Sequence, residues 1–564
     1  MASTKVTSAC DACRRRKVKC DLADPCSNCR ISGLQCQCTL TPKKRGRKTR
    51  KPSALPTTPS TQFRLAASQQ PQSGASPEPA AAIPSYDSPA SSVMLGQSPS
   101  IHTSESARVF IALVDAISSA FPSTIEEVIP NCIELYIQYL FPIQPLVHEP
   151  TIRASASLFS PQASSNHAAW PVADPSSDGD FSLLKSFTLV TALCAFVTST
   201  APDSLLPGAH LLASPFLKAS QAMLQLYLDY DLENPDSSSL NIRMWHSASR
   251  QNITGRVGAS WHYHGEATLI AQRLRLYSEE WVSQSPPIEA QVLRAGFWHL
   301  YAAERTAEAL ESRPVVLHET LFHSELTVRE HTEQDQLLLD VSQGHHQQSL
   351  ELRLRVGFHI KCRVWILAAR LTSGIKAYAR RLRNDAIDTG ADAEVSRLTD
   401  LYISFLTTAD DLPEFLWSLD SVDDQIMDKE VLVYQRTCFM VQRSNIMTTF
   451  HCMKLVALQL CITHNLVQIM GLTPDTTSFA LRKLEIASEF IRELRLVPFA
   501  CLKMQGETAV EKIRRVAASL LELIQTMDHS GIKARASSQF ERILDYLSEL
   551  DSKASDELSS NYVR

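Results

Sequence analysis

No apolar run in this 564-residue chain approaches the ~20 residues a bilayer span needs; the longest, "FTLVTALCAFV" at 187–197, is about half that. The opening "MASTKVTSACDAC" lacks the apolar core of a secretory signal, so a soluble protein of a reducing intracellular compartment is expected. The sequence has no G-x-S-x-G, no G-x-x-x-x-G-K-S/T, no paired-glycine fingerprint and no H-E-x-x-H. Those absences remove the local signatures of the commonest hydrolases, phosphate-binding enzymes, dinucleotide enzymes and zinc proteases. The nearest approaches to a catalytic metal site are His262 with His264 in "WHYHGE" and His345 with His346 in "GHHQQ". The first pair diverges at i+2 on a helix, and neither pair has a thiol or carboxylate as company. Both read as surface or packing histidines, and the chain as a non-enzyme.

What is present is unevenly distributed. The net charge of -5 divides into +11 over residues 1–51 and -16 over the remainder, a basic head on an acidic body that points to a polyanion at one end. Seven of the 14 cysteines fall within the first 38 residues, and the rest are scattered singly from Cys132 to Cys501. A cluster of that kind in an otherwise ordinary chain indicates metal rather than disulfides. With 44% hydrophobic residues the chain can bury several cores, or one large helical body.

Cys10, Cys13, Cys20, Cys26, Cys29 and Cys36 form an internal repeat, C-x2-C-x6-C, five residues, then C-x2-C-x6-C. A closed structural zinc site takes four ligands, so six thiolates satisfy two zinc ions only if two sulfurs are shared. The arithmetic favours a binuclear cluster over separate fingers. The two halves differ in charge, with Arg14, Arg15, Arg16, Lys17 and Lys19 after Cys13 but only Arg30 after Cys29. The first half is therefore expected to face double-stranded DNA, its short helix entering the major groove while other cations neutralise phosphate.

This spacing, the "RRRKVKCD" run and the "PCSNC" return resemble the DNA-binding domain of fungal binuclear zinc cluster transcription factors (Gal4-type). The resemblance implies two Zn2+ ions bridged by Cys10 and Cys26, with Cys13 and Cys20 completing one site and Cys29 and Cys36 the other. It makes Pro25 the turn between the halves. It also implies that Arg16 and Lys17 read a CGG-type triplet, with Arg16 where many members have lysine, and that Arg14, Arg15 and Lys19 contact phosphate. Cys38 lies outside the pattern and reads as a free thiol.

"PKKRGRKTRKP" packs Lys43, Lys44, Arg45, Arg47, Lys48, Arg50 and Lys51 around one glycine with no apolar side chain to fold on. It reads as a nuclear import signal, or as an arm laying Arg45 and Arg47 into a minor groove in the manner of an AT-hook, from which it departs at Lys48. Pro52–Ser100 holds nine of the 29 prolines and only Arg64, Glu78 and Asp87 as charges, the composition of a disordered linker. No heptad run follows the cysteines, so a homodimer, if formed, needs contacts from the large domain.

Beyond residue 105 the apolar spacing is helical, as in "NCIELYIQYLF" and "LRLRVGFHIKCRVWILAARL", with loops expected at 155–180, 229–240 and 384–395. The fold class that follows is mostly α: a two-zinc head over residues 10–38 after a disordered residue 1–9 start, an arm and linker over 39–104, an all-α body over 105–550 and a flexible tail over 551–564. The body resembles the fungal-specific regulatory (middle homology) domain. "HYHGEATLIAQRLRLY" matches its A-x-x-L-G-L helix except for Arg275 in the glycine position. "EAQVLRAGFWHLYAAERTAEALESRP" matches its aromatic core, with Glu304 for aspartate and Ser312 for the glycine before "RP". Glu289, Arg294, Glu304 and Arg305 are expected to form an ion-pair network around a buried Trp298, maintaining the fold or forming an effector-sensing surface. Two acidic–apolar stretches, "ADDLPEFLWSLDSVDD" and "ILDYLSELDSKASDEL", suit either core packing or contact with the transcription machinery.

The functional expectation is a nuclear, DNA-binding RNA polymerase II transcription factor. By the same resemblance it activates a biosynthetic (secondary metabolite) gene cluster or regulates nutrient catabolism, with coactivators and a small-molecule effector as further partners and no membrane. A zinc-binding adaptor or corepressor without sequence-specific DNA binding is the alternative.

Overall fold

Residues 1–96 and 97–564 form two separate units in the computed structural model of the chain. It describes residues 10–16, 20–23, 25–26, 29–30 and 35–37 of the first unit. Of the second it describes 104–160, 181–310, 313–319, 322, 326, 329, 335–344, 346, 348–383, 391–417 and 428–552. The basic segment Lys43–Lys51, the linker, Cys38, Ser312 and His345 lie outside the described residues. Every regular element among the described residues is helical, as expected for a mostly α protein.

The first unit contributes α1 (Asp11–Arg16). The second begins with α2 (Glu105–Ala120), α3 (Ile125–Leu135), α4 (Glu149–Ala156), α5 (Ser182–Thr200), α6 (Ala209–Gln225) and α7 (Leu228–Glu233). It continues through α8 (Ser237–Thr254), α9 (Val257–Arg273), α10 (Glu279–Val282), α11 (Pro287–Ala309), α12 (Gln348–Arg383) and α13 (Ala391–Asp410). The last are α14 (Glu414–Trp417), α15 (Lys429–Thr463), α16 (Thr476–Arg495), α17 (Phe499–Lys503), α18 (Glu507–Thr526) and α19 (Ser530–Leu550). In the main core α5 lies against α6 and α8, and α12 against α15. A second core joins the end of α15 to α16, α18 and α19.

Among the described residues two helices, α5 and α15, are long and apolar enough to cross a membrane, although no single apolar run is. Within the body 72% and 78% of their apolar windows are buried, which accounts for helices that are hydrophobic on every side. α12 and α15 approach closely at Gly357, where a Cβ would collide with the Gln442 carboxamide. That amide donates to the carbonyls of Pro142 and Leu354 at 2.7 Å each, tying the π-helical turn region after α3 to both long helices.

The polar run at 229–240, expected as a loop, is mostly helical. Asp236 caps α8 by accepting from Ser239 N at 3.0 Å, and the Ser239 hydroxyl accepts in turn from Asp236 N at 3.1 Å. Asp231, within the same run, is fully buried and pairs with Arg243 at 2.7 Å.

The expected network of Glu289, Arg294, Glu304 and Arg305 does not form. Along α11 these positions point in different directions, and each finds a partner elsewhere. Glu289 accepts from Ser237 Oγ at 2.6 Å, Arg294 pairs with Glu279, and Arg305 with Glu308 at 3.1 Å. Glu304 holds His264 Nε2 at 2.8 Å, Arg313 at 3.3 Å and the Val316 amide at 2.6 Å, pinning the chain after α11. Trp298 is buried, edge-on to Phe297 and Tyr301.

His264 therefore does have a carboxylate neighbour, as do His262 (Glu266, 3.0 Å) and His346 (Glu149, 2.9 Å), contrary to the sequence reading. None of these belongs to a three-ligand set; among the described residues only cysteines form such sets.

Arg275 occupies the glycine position of the resembled motif with φ +51°, in the left-handed region. The Leu276 amide reaches Ala271 O at 3.0 Å and the Arg275 amide Gln272 O at 3.1 Å, a Schellman ending to α9. The Arg275 guanidinium lies 4.3 Å over the Trp281 ring.

Of the two acidic–apolar stretches, Leu416 is buried, Phe415 packs on Phe439 at 5.1 Å and Trp417 is exposed beneath Arg443. In the second stretch Ile543, Leu547 and Leu550 are buried in α19.

Candidate metal centre and nucleic-acid interface

The head is built from two copies of one local device. Cys10 precedes α1, and its sulfur accepts the Cys13 amide at 3.4 Å; Cys26 precedes a helical turn, and its sulfur accepts the Cys29 amide at 3.4 Å. The C-x2-C spacing does this because the first turn of a helix leaves amides without backbone partners, and a sulfur one turn earlier can take one. The Asp11 amide donates to Gln37 O at 2.8 Å, joining the start of the motif to its end. The Cys26 amide donates to Cys36 Sγ at 3.3 Å, folding the last cysteine back onto the fourth. Cys10, Cys13, Cys26 and Cys29 are almost completely buried, and Cys20 and Cys36 partly so.

Six sulfurs thus converge. They fall into two sets of four, Cys10–Cys13–Cys20–Cys26 and Cys10–Cys26–Cys29–Cys36, and within each set all sulfurs lie within 4.8 Å of one another. Cys10 and Cys26 belong to both. Neighbouring sulfurs are 3.5 Å apart for Cys10–Cys29 and Cys13–Cys26, and 3.8 Å for Cys10–Cys26. Tetrahedral Zn–S bonds of about 2.3 Å put ligand sulfurs about 3.8 Å apart, so the donor set fits two four-coordinate zinc ions with two shared thiolates.

The electrostatics separate the shared sulfurs from Cys13 and Cys29. The Cys13 amide, working against burial, holds the Cys10 thiol down to about 6. The Cys29 amide lowers Cys26 in the same way. Burial pushes Cys13 up to about 12 and raises Cys29. The two common sulfurs are thus predisposed to the thiolate form, while Cys13 and Cys29 release their protons to the incoming metal.

The sequence-derived DNA contacts are divided by their placement. Arg14, Arg15 and Arg16 form the last residues of α1, so they are carried on a helix that starts at one buried cysteine ligand and contains another. Lys17 and Lys19 lie outside the described residues. Arg30, the single cation of the second half, is exposed on the second turn. What spacing alone did not reveal is the three amide–sulfur bonds and the Gln37 contact; the adjacency of each C-x2-C to a helix start was the available signal for two of them.

The Fungal Zn(2)-Cys(6) binuclear cluster domain matches residues 8–47. Over 41 residues the chain is 56% identical to the transcription factor PDR1 of Candida glabrata, covering 7% of this chain and 4% of that protein. Over 46 residues it is 48% identical to the glucose transport transcription regulator RGT1 of Saccharomyces cerevisiae, 8% of this chain and 4% of that one. A stretch of 32 residues is 56% identical to an uncharacterized transcriptional regulatory protein of Schizosaccharomyces pombe, 6% of this chain and 4% of that one. Each likeness spans a small fraction of this chain and of the relative's length. Residues 8–47 are therefore a fungal Zn(2)-Cys(6) binuclear cluster domain, whose six cysteines are placed to take two zinc ions.

Proposed function

We propose that the protein is a nuclear, sequence-specific DNA-binding regulator of RNA polymerase II transcription. The observation that carries this reading is a three-arginine helix, Arg14–Arg16, attached at its other end to a six-sulfur cage. Zinc supplies the folding free energy of a head too small to hold itself. Cys10 and Cys26 bridge the two ions, with Cys13 and Cys20 on one side and Cys29 and Cys36 on the other. Arg16 and Lys17 read the edge of a CGG-type triplet, where guanine offers an acceptor pair to a cationic side chain. Arg14, Arg15 and Lys19 neutralise phosphates and set the register. The segment Lys43–Lys51 serves nuclear import and adds phosphate contact.

Likeness to regulators of transcription supports DNA binding and a nuclear location. Activation of a biosynthetic gene cluster, recruitment of coactivators, and residues 105–550 as a fungal-specific regulatory domain rest on the resemblance of the sequence motifs. The deciding experiment is selection of bound sequences from random duplex DNA by the zinc-loaded protein. Enrichment of CGG-type triplets is expected; salt-steep binding without sequence preference would leave an adaptor or a nonspecific binder instead. Comparing transcripts with and without the protein then identifies the genes it controls and the sign of control.

A further inference from the structure

Between α8, α9, α11, α12 and α18 the helical body holds a partly open cavity of about 170 Å³. That is close to the size of a dry cavity that admits a benzene-sized guest, roughly 150 Å³. Its apolar walls are Phe196, Met244, Trp245, Leu300 and Trp365 inside and Trp261 at an exposed edge, and polar side chains line the rest.

Its polar lining has an unusual balance. Lys361 and Lys512 are both buried, and neither ammonium has a carboxylate partner among the described residues. Lys361 donates to Ile143 O at 2.6 Å and Lys512 to Thr449 Oγ1 at 2.7 Å, one neutral oxygen each. Arg313 is offset by Glu304, and Glu507 by Arg514. The remaining wall carboxylate, Glu511, accepts from Gln251 at 3.0 Å. The lining is left with one more cation than it has carboxylates. The indole N–H of the buried Trp245 has no acceptor, a costly state for a buried donor.

We infer that this cavity is a binding site for a small monocarboxylate with a flat apolar body, such as an aromatic acid. The body fits between the aromatic walls; one negative charge matches the lining's excess cation, and its oxygens are acceptors for lining donors that have a single neutral oxygen each, Lys361 and Lys512, or none, Trp245. Burial disfavours charge on both sides of the lining, pushing Glu511's carboxyl up and Lys361 and Lys512 down to about 8, so an incoming carboxylate restores to the two ammonium groups the counter-charge that burial withholds. The inference is independent of the DNA-binding reading, since it concerns the second unit alone.

Benzoate and its neutral isostere benzamide test it, titrated against the full-length zinc-loaded protein by calorimetry and thermal shift. Benzoate should bind saturably and raise the melting temperature, with benzamide at least tenfold weaker. Lys361→Met and Lys512→Met should each lose benzoate binding tenfold or more. Both should still fold, because each removes a buried charge that has no carboxylate partner. Trp245→Phe keeps an aromatic ring, though a smaller one, removes the donor and should weaken benzoate more than benzamide. No saturable benzoate response up to about 10 mM, the weak limit for a guest of this size, overturns the inference. So does equal binding of the two probes, or unchanged benzoate binding in the folded lysine variants or in Trp245→Phe.

Discussion

The Sγ atoms of Cys10 and Cys26 lie 3.8 Å apart, and these two sulfurs alone belong to both four-sulfur sets of the head. Sulfurs common to two tetrahedra are worth more to the cluster than sulfurs in one. Cys10→Ser and Cys26→Ser should therefore each abolish binding of both zinc ions, whereas Cys20→Ser should leave part of the metal bound. Zinc per chain after dialysis reads this directly. Retention of one ion in Cys10→Ser alongside complete loss in Cys20→Ser would assign the bridging role wrongly.

The helical unit should be indifferent to that metal. Among the described residues its cysteines are all buried, and burial pushes the Cys362, Cys461 and Cys501 thiols up to about 12. Such thiols are inert core side chains. Chelation should abolish DNA binding and leave the main thermal transition of the 62.7 kDa chain unchanged. Loss of the helical circular-dichroism signal in chelator would mean that the body depends on the metal too.

Arg16 and Lys17 should separate from Arg14, Arg15 and Lys19 when DNA binding is measured against salt. Alanine at a base-reading position costs about 1–3 kcal/mol and relaxes the preference for one triplet. Alanine at a phosphate-contacting position weakens every sequence alike and makes the salt dependence shallower by about one unit. A uniform loss from Arg16→Ala and Lys17→Ala would move the reading of bases elsewhere.

Arg275 gives a sharper test of the body. An L-residue at φ +51° pays a left-handed penalty of about 1–2 kcal/mol, which glycine avoids. The stack on Trp281 returns about 0.5–1 kcal/mol at an exposed site. Arg275→Ala keeps the strain and loses the stack; Arg275→Gly loses both. Glycine should therefore exceed alanine in stability by about 1 kcal/mol in chemical denaturation. Equal stability of the two variants would show that the backbone there is not strained.

These residues also mark what the sequence could convey. The cysteine head was legible because its ligands are separated by two and six residues, a spacing that local chain geometry converts directly into a cage. The glycine-to-arginine departure at 275 was legible too, but its meaning required a φ angle. Long-range pairing was not legible. Glu289 and Arg294 are five residues apart on one helix, yet their partners come from α8 and α10. The polar run at 229–240 read as a loop because it holds Asp, Glu, Asn and Pro, and nothing local told that Arg243 would draw Asp231 inward. The cavity was hidden for the same reason: Lys361 and Lys512 stand in unrelated helices, each visible only as a lysine inside an apolar stretch.

Asp231 and Arg243 should be strongly coupled. Both side chains are fully buried, 2.7 Å apart, with Ser239 Oγ donating to the same carboxylate at 2.6 Å. Asp231→Ala should destabilise the body by about 3–5 kcal/mol, because the guanidinium is left buried without its closest counter-charge. Replacing both with apolar residues of similar volume should recover most of that loss. A double variant no more stable than Asp231→Ala would refute the charge explanation and leave packing as the cause.

His246 sets an acid limit on the same region. Its Nε2 faces Ser220 Oγ at 2.8 Å, and Ser220 donates its own proton to Thr188 O at 2.9 Å. The serine oxygen is thus an acceptor for Nε2–H, and Nδ1 has no partner, so protonation would create a buried N–H with nothing to bond. Burial, with the nearby Arg243 charge, pushes the imidazole down to about 3, against an ordinary value of 6.5. Between those values the unfolded chain binds a proton that the folded one refuses, so stability is full above about pH 6.5 and falls as pH drops toward 3. The slope from this residue approaches about 1.4 kcal/mol per pH unit. His246→Gln should flatten the fall between pH 6.5 and 5, above most carboxylate titration, in denaturant midpoints taken across that range. A variant with the same slope as the parent would show that His246 is protonated in the folded state.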